Sequence, residues 1–144
     1  MSDESRVVCV HCGAINRMPE ARNAQEAKCG RCGQLLFDGV PADVDAGMVD
    51  RQMTKGTLPV VVDVWAPWCG PCRAMAPEYE KAAKVGEPGM RFLKLNSDEN
   101  QEMAARFGIR GIPTMLLLRD GKEVARVSGA MSSSQILGWL GQNR

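Results

Sequence analysis

No apolar run in this sequence approaches the roughly 18 residues of a membrane-spanning helix, so no membrane partner is expected. The opening residues Met1-Ser2-Asp3-Glu4-Ser5-Arg6 lack a basic region feeding an apolar stretch, and do not read as a secretory leader. Neither sign of charge is in surplus: 18 Lys+Arg against 17 Asp+Glu leave a formal net charge of +1. That balance gives no general attraction to nucleic acid or anionic lipid. There is no internal repeat beyond a recurring cysteine spacing. These absences predict a soluble, cytoplasmic protein.

What is present fits one ordinary domain with a small appendage: 144 residues, 44% of them hydrophobic. Six cysteines fall into three pairs of identical spacing, Cys9/Cys12, Cys29/Cys32 and Cys69/Cys72. In a reducing compartment such pairs point to metal ligands and redox chemistry before structural disulfides.

Residues 7–36 are poor in core-forming side chains. Val7-Val8, Val10, Ile15 and Leu35-Leu36 are separated by a polar stretch from Asn16 to Lys28. Burial alone cannot offset the ordering entropy of such a segment. Cys9-Val10-His11-Cys12, sixteen residues, then Cys29-Gly30-Arg31-Cys32 supply four thiolates in two knuckles, the donor set of a tetrahedral Zn²⁺ site. Gly13 and Gly33 follow each pair, where the chain must turn. One structural zinc per chain would supply the folding energy the thin core lacks. His11 is read as a surface neighbour of the knuckle and not as a ligand. Arg17, Arg22, Lys28 and Arg31 are partly offset by Glu20 and Glu26, and without interleaved aromatics nucleic-acid binding is not expected. The division read from this contrast is 1–36 for the zinc-binding segment and 37–144 for the main domain.

Beyond it, Asp43 or Asp45 could cap a short helix reaching toward Thr54, and Leu35–Val40 is the guess for a first strand. Val60–Trp65 is β-branched without polar alternation, the mark of a strand covered on both faces. A helix from about Cys69 to Val85 presents Met75, Tyr79, Ala82 and Ala83 at helical spacing, bent by Pro77. Arg91–Leu95 and Met115–Leu118 read as strands, with Ser97 capping a helix through Phe107 between them. Asp120-Gly121 makes a two-residue hairpin turn to Glu123–Val127, nearer the sheet edge. Ser132 with Gln135 forms a capping box for a last helix with Ile136, Leu137 and Leu140 facing inward, and Trp139 packed on the core. Strands alternating with helices predict an α/β fold, a mixed sheet flanked by helices on both sides.

Cys69 stands where a buried strand gives way to a helix. Unpaired backbone N–H groups and the peptide dipoles there favour a thiolate. Two intervening residues let Cys72 close a disulfide within the first turn, and Pro71 stiffens that turn. Cys69 is therefore read as the exposed nucleophile and Cys72, deeper, as the resolving thiol. Asp63 interrupts the apolar strand, and a buried carboxylate is expensive. It is either a proton acceptor and donor for Cys72, its pKa raised by desolvation, or part of a structural ion pair. Trp65 and Trp68 bracket the pair, as packing element and contact surface or as two core tryptophans. Gly111 and Gly129 are read as sites of close backbone approach or turning.

The run Val62-Asp63-Val64-Trp65-Ala66-Pro67-Trp68-Cys69-Gly70-Pro71-Cys72 resembles the active-site region of thioredoxins. Gly111-Ile112-Pro113-Thr114 is similar to their second active-site loop, and Asp120-Gly121-Lys122 with Val127-Ser128-Gly129-Ala130 to their closing hairpin. The match covers approximately residues 40–142, and with the four-cysteine extension the chain resembles the zinc-containing thioredoxin 2 branch. Val64 and Arg73 depart from the phenylalanine and lysine familiar in the family. The resemblance implies a five-stranded mixed sheet and a dithiol that reduces protein disulfides. It also implies recycling by an NADPH-dependent thioredoxin reductase, with no organic cofactor bound to the chain itself. Lys94 would be the charge partner of Asp63, and Pro113 would be cis and packed on the cysteines. Client contacts would fall on Trp68, Gly70, Pro71, Ile112, Pro113 and Gly129. Competing expectations are a zinc-dependent adaptor with a merely binding main domain, and a redox-regulated chaperone or sensor signalling through Cys9, Cys12, Cys29 and Cys32.

Overall fold

The computed structural model describes residues 4–19 and 24–143; Glu20 and Arg22, counted in the charge balance above, lie outside the described residues. β1 (Glu4–Val8) and β2 (Ile15–Pro19) pair as an antiparallel hairpin. The main sheet has the order β3-β5-β4-β6-β7, from β3 (Ala42–Asp43), β4 (Val60–Trp65), β5 (Arg91–Asn96), β6 (Thr114–Arg119) and β7 (Lys122–Ser128). β3, β5 and β4 run parallel, and β6 and β7 run antiparallel to their neighbours. Helices α1 (Ala46–Lys55), α2 (Gly70–Gly86), α3 (Gln101–Arg106) and α4 (Ser133–Gln142) complete the chain. This is the mixed five-stranded α/β architecture the resemblance implied.

The two-residue period of each strand divides the core. Val61, Phe92, Met115 and Leu117 pack against Met75 and Tyr79 of α2 and Ile136 and Leu140 of α4. Val60, Val62, Val64, Leu93, Leu95, Leu116 and Leu118 pack on the other face against Val49 and Met53 of α1 and Met103 of α3. A strand covered on both faces has no polar positions to spare, which is why Val60–Val64 is buried throughout. β7, at the edge, is exposed or half-buried along its length.

Asp45 caps α1 by accepting from the Met48 N–H at 2.9 Å. Asp120 (φ 54°) and Gly121 (φ 76°) both have the positive φ that a type I′ hairpin turn requires. The Ser132/Gln135 capping box is closed in both directions. Ile136 and Leu140 are buried, whereas Leu137 and Trp139 are half-buried against the same cluster. Two expectations need correction. The first strand of the sheet is Ala42–Asp43, not Leu35–Val40; Leu36 and Phe37 instead complete a small core with Val7, Cys9, Met18, Ala27 and Cys29. Ser97 does not cap α3, which starts at Gln101 after Asn100; both its N–H and its hydroxyl donate to the Trp65 carbonyl.

The N-terminal hairpin is docked on α1 and the loop that follows it. Gln52 Nε2 donates to Val8 O at 2.9 Å, and Arg6 and Thr57 exchange backbone and hydroxyl hydrogen bonds. Leu58 packs on the small core.

Candidate active site and metal centre

Strand β4 ends at Trp65, and the chain turns through Ala66-Pro67-Trp68 before α2 begins. Cys69 is the N-cap of α2, extended at φ −83° and ψ 110°, with its sulfur accepting from the Cys72 N–H at 3.2 Å. Gly70 and Pro71 open the helix, where the missing N–H of proline leaves no helical bond unmade. Cys69 and Cys72 are joined by a disulfide, their Cα atoms 5.3 Å apart. The expected difference in exposure is not present in this oxidised form: Cys69 is 4% and Cys72 3% exposed. Ala66, Trp65 and Ile112 pack over both. Position separates them instead, since only Cys69 sits at the helix end facing the unpaired N–H groups.

The second loop closes over the pair. The Ile112–Pro113 peptide is cis, Pro113 is buried, and Ile112 O lies 3.7 Å from Cys69 Sγ. Gly129, with φ +102°, donates its N–H to Pro113 O at 2.9 Å and ties the β7 end to this loop. Gly111 has no atom within 4 Å of where a Cβ would stand, so crowding does not explain that glycine. Trp68 is 68% exposed, with its indole N–H donating to Asp98 at 2.9 Å. Trp68, Gly70, Pro71 and Gly129 are exposed and Ile112 half-buried, so they form a surface around Cys69. The tether by Asp98 carried no sequence signal.

Asp63 is 1% exposed and shares the parity of Val61, so it faces the layer containing α2 and Cys72. Its Oδ1 has no hydrogen-bond partner among the described residues. Burial pushes its pKa up from 3.8 to about 7; the Lys94 charge pulls it down less strongly, and the Asp43 carboxylate adds to the rise. Lys94 stands opposite Asp63 in the β4–β5 register, yet its ammonium lies over the Trp65 ring, 4.5 Å from the centroid.

The four remaining cysteines converge. Their sulfurs lie within 4.8 Å of one another, with Cys9···Cys32 at 3.7 Å and Cys12···Cys29 at 3.6 Å. A tetrahedron with metal–sulfur bonds of about 2.3 Å has edges of about 3.8 Å, so the donors fit such an ion. Two matching turns produce this. Gly13 and Gly33, at φ +80° and +81°, each donate to the carbonyl of the first cysteine of their pair at 2.9 Å. The backbone N–H groups of His11 and Arg31 point at the sulfurs of Cys9 and Cys29, both at 3.4 Å. Asn16 adds a donor to Cys29, whose pKa falls from 9.0 to about 6, chiefly through the Cys32 N–H. The cluster can coordinate a metal ion, and the His11 side chain is exposed outside it.

Two family descriptions match the chain: Thioredoxin over residues 42–142, and Thioredoxin 2, N-terminal, over residues 8–34. Thioredoxin C-3 of Corynebacterium nephridii is 39% identical over 136 residues, covering 94% of this chain and 93% of that one. The Pseudomonas aeruginosa thioredoxin is 42% identical over 94 residues, 65% of this chain and 87% of that one. Among solved structures, Malassezia sympodialis thioredoxin matches with a TM-score of 0.68 at 28% identity, covering 74% of this chain and 93% of that chain. A mutant thioredoxin from Halobacterium salinarum gives 0.66 at 29%, with the same coverage.

Proposed function

The chain belongs to the thioredoxin family, and from that premise we propose that it is a cytoplasmic protein-disulfide reductase recycled by an NADPH-dependent thioredoxin reductase. Thiol–disulfide oxidoreductase chemistry at Cys69 and Cys72 follows from the family and the pair's geometry. The supporting observation is the joining of those two sulfurs at the N-terminus of α2, with buried Asp63 facing that helix's layer.

In the proposed cycle the Cys69 thiolate attacks one sulfur of a client disulfide. A Cys69–client bond forms and the other client sulfur leaves as a thiolate, taking a proton from solvent. Cys72 passes its proton to the Asp63 carboxylate and attacks Cys69 Sγ. The mixed disulfide breaks, the Cys69–Cys72 bond closes, and the departing client thiolate takes up the proton from Asp63. Two electrons and one proton have moved from the dithiol to the client, and solvent has supplied the second proton. A carboxyl that titrates near 7 suits both halves of that transfer. Lys94 tempers its charge, while Trp68, Gly70, Pro71, Ile112, Pro113 and Gly129 offer the client surface.

The N-terminal match supports placing the chain in the thioredoxin 2 branch, with residues 1–36 as the metal-binding segment and 37–144 as the redox domain. Cys9, Cys12, Cys29 and Cys32 would hold one Zn²⁺, which contributes folding energy there and no chemistry to turnover. No helix among the described residues is long and apolar enough to cross a membrane. The test is NADPH consumption with thioredoxin reductase and a disulfide-bonded protein substrate. The intact chain should turn over and Cys69→Ser should not; turnover that survives the substitution overturns the reading.

A further inference from the structure

The register of the sheet puts Asp43, Lys94, Asp63, Met115 and Val127 in one row across β3, β5, β4, β6 and β7. Paired positions on adjacent strands, about 4.8 Å apart, send their side chains to the same face. Lys94 therefore has a carboxylate-bearing neighbour on each side: exposed Asp43 at the edge and buried Asp63 at the centre. Its ammonium makes an ion pair with neither and rests over Trp65, a diagonal neighbour on the same face of the sheet. The Asp43 carboxylate has no hydrogen bond or ion pair with a described residue, and Asp43 borders a cleft of about 450 Å³ shared with Trp65, Pro67 and Asn96. Water reaches the row from that end, where Asp43 is exposed, whereas Asp63 is shut off from it.

We propose that Asp43 is a positioning residue for the redox reaction, sharing Lys94 with Asp63 from the edge strand and so setting how firmly Asp63 holds a proton. This rests on the reading of Asp63 as the proton-transfer group. Two effects act in the same direction. An anionic Asp43 draws the Lys94 charge away from Asp63, and its own charge opposes ionisation of Asp63 across two strand spacings. The other groups facing Asp63 do not compete. Tyr79 of α2 is fully buried, with its hydroxyl bonded to Val61 O and Leu93 O and its pKa pushed well up by burial. Met115 of β6 carries no charge, and Cys72 is the proton's other terminus.

The experiment uses the full, zinc-loaded chain. Asp63 is titrated by carboxyl NMR, and the pH profile of client disulfide exchange is measured in parallel, for the wild type, Asp43→Asn and Asp43→Ser. Removing the edge charge should lower the Asp63 midpoint by about half a unit, as expected of a like charge some 10 Å away in a partly aqueous setting. The low-pH limb of the rate profile should move down with it. In a Lys94→Met background the same substitution should give a smaller shift, since only the direct repulsion remains. An unshifted Asp63 midpoint in folded Asp43→Asn and Asp43→Ser overturns the proposal. A shifted midpoint with an unmoved rate profile upholds the coupling and instead sinks Asp63 as the proton-transfer group.

Discussion

Arg91 Nη2 donates to the carbonyl oxygen of Val8 at 3.1 Å, across 83 positions of sequence. Val8 immediately precedes Cys9, and Nη1 of the same guanidinium donates to Leu36 O at 2.9 Å. The Phe37 ring lies 4.2 Å from the guanidinium carbon, and Glu87 approaches within 3.9 Å, with side chains only 3% and 2% exposed. One buried cation on β5 thus holds both sides of the four-cysteine segment to the main sheet.

Removing that cation takes a donor from Leu36 O, leaves Val8 O to the Gln52 amide, and strips the buried Glu87 carboxyl of its nearby positive charge. Arg91→Met should therefore destabilise the metal-loaded chain by about 3 kcal/mol, measured by urea unfolding. Chelating the metal from the wild type should also lower the midpoint of the redox domain, because Arg91 loses its acceptors. In Arg91→Met, chelation should have a smaller effect on that domain, since the shared contact is already gone. Strictly additive losses would show that the two parts are not coupled through Arg91.

Asp63 makes stability depend on pH with a definite sign. Its folded pKa, about 7, lies above the ordinary 3.8. Between those values the folded chain keeps a proton that the unfolded chain has released, so stability falls as pH rises from about 4 to about 7 and levels off beyond. At 1.36 kcal/mol per unit the full depth is on the order of 4 kcal/mol. Asp63→Asn removes this dependence. The variant should match the wild type near pH 4 and exceed it at pH 8 by roughly 2–4 kcal/mol in denaturant unfolding of the oxidised form. Parallel stability profiles for the two proteins would contradict the assignment.

The same residue shows where sequence reasoning succeeds. A lone carboxylate in Val60–Trp65 violates the burial pattern of its own strand, so Asp63 announced itself. Arg91 violates its strand equally, ahead of Phe92-Leu93, but the sequence does not reveal its partners, which lie in another segment. The strand Ala42–Asp43 was illegible for a different reason. Two residues after Pro41 carry no period, and pairing with Leu93 and Lys94 is what makes them a strand. Leu35–Val40 looked more strand-like because it is apolar, but Leu36 and Phe37 serve the small core. The cysteine knuckles, the type I′ turn and the capping box were readable because each is fixed by chemistry within a few residues.

The Trp68 indole, anchored to Asp98, is the largest exposed apolar surface beside Cys69. Trp68→Ala should raise KM for a protein client several-fold while leaving the exchange rate with a small disulfide within about twofold, as loss of a contact residue predicts. Asp98→Ala should give a milder form of the same split, because the ring stays but its orientation loosens. Equal losses toward large and small disulfides would place Trp68 in the chemistry and not in client contact.

The order of the two thiols is the centre of the account. Cys69 holds the helix end and Cys72 lies within the first turn, where the proposed cycle has it wait for a proton acceptor. Zinc-loaded Cys72→Ser mixed with an oxidised client should accumulate a covalent adduct, seen on a non-reducing gel and mapped by mass spectrometry to Cys69. Cys69→Ser should capture nothing. Clients trapped through Cys72 in Cys69→Ser, with none on Cys69 in Cys72→Ser, would reverse the assignment.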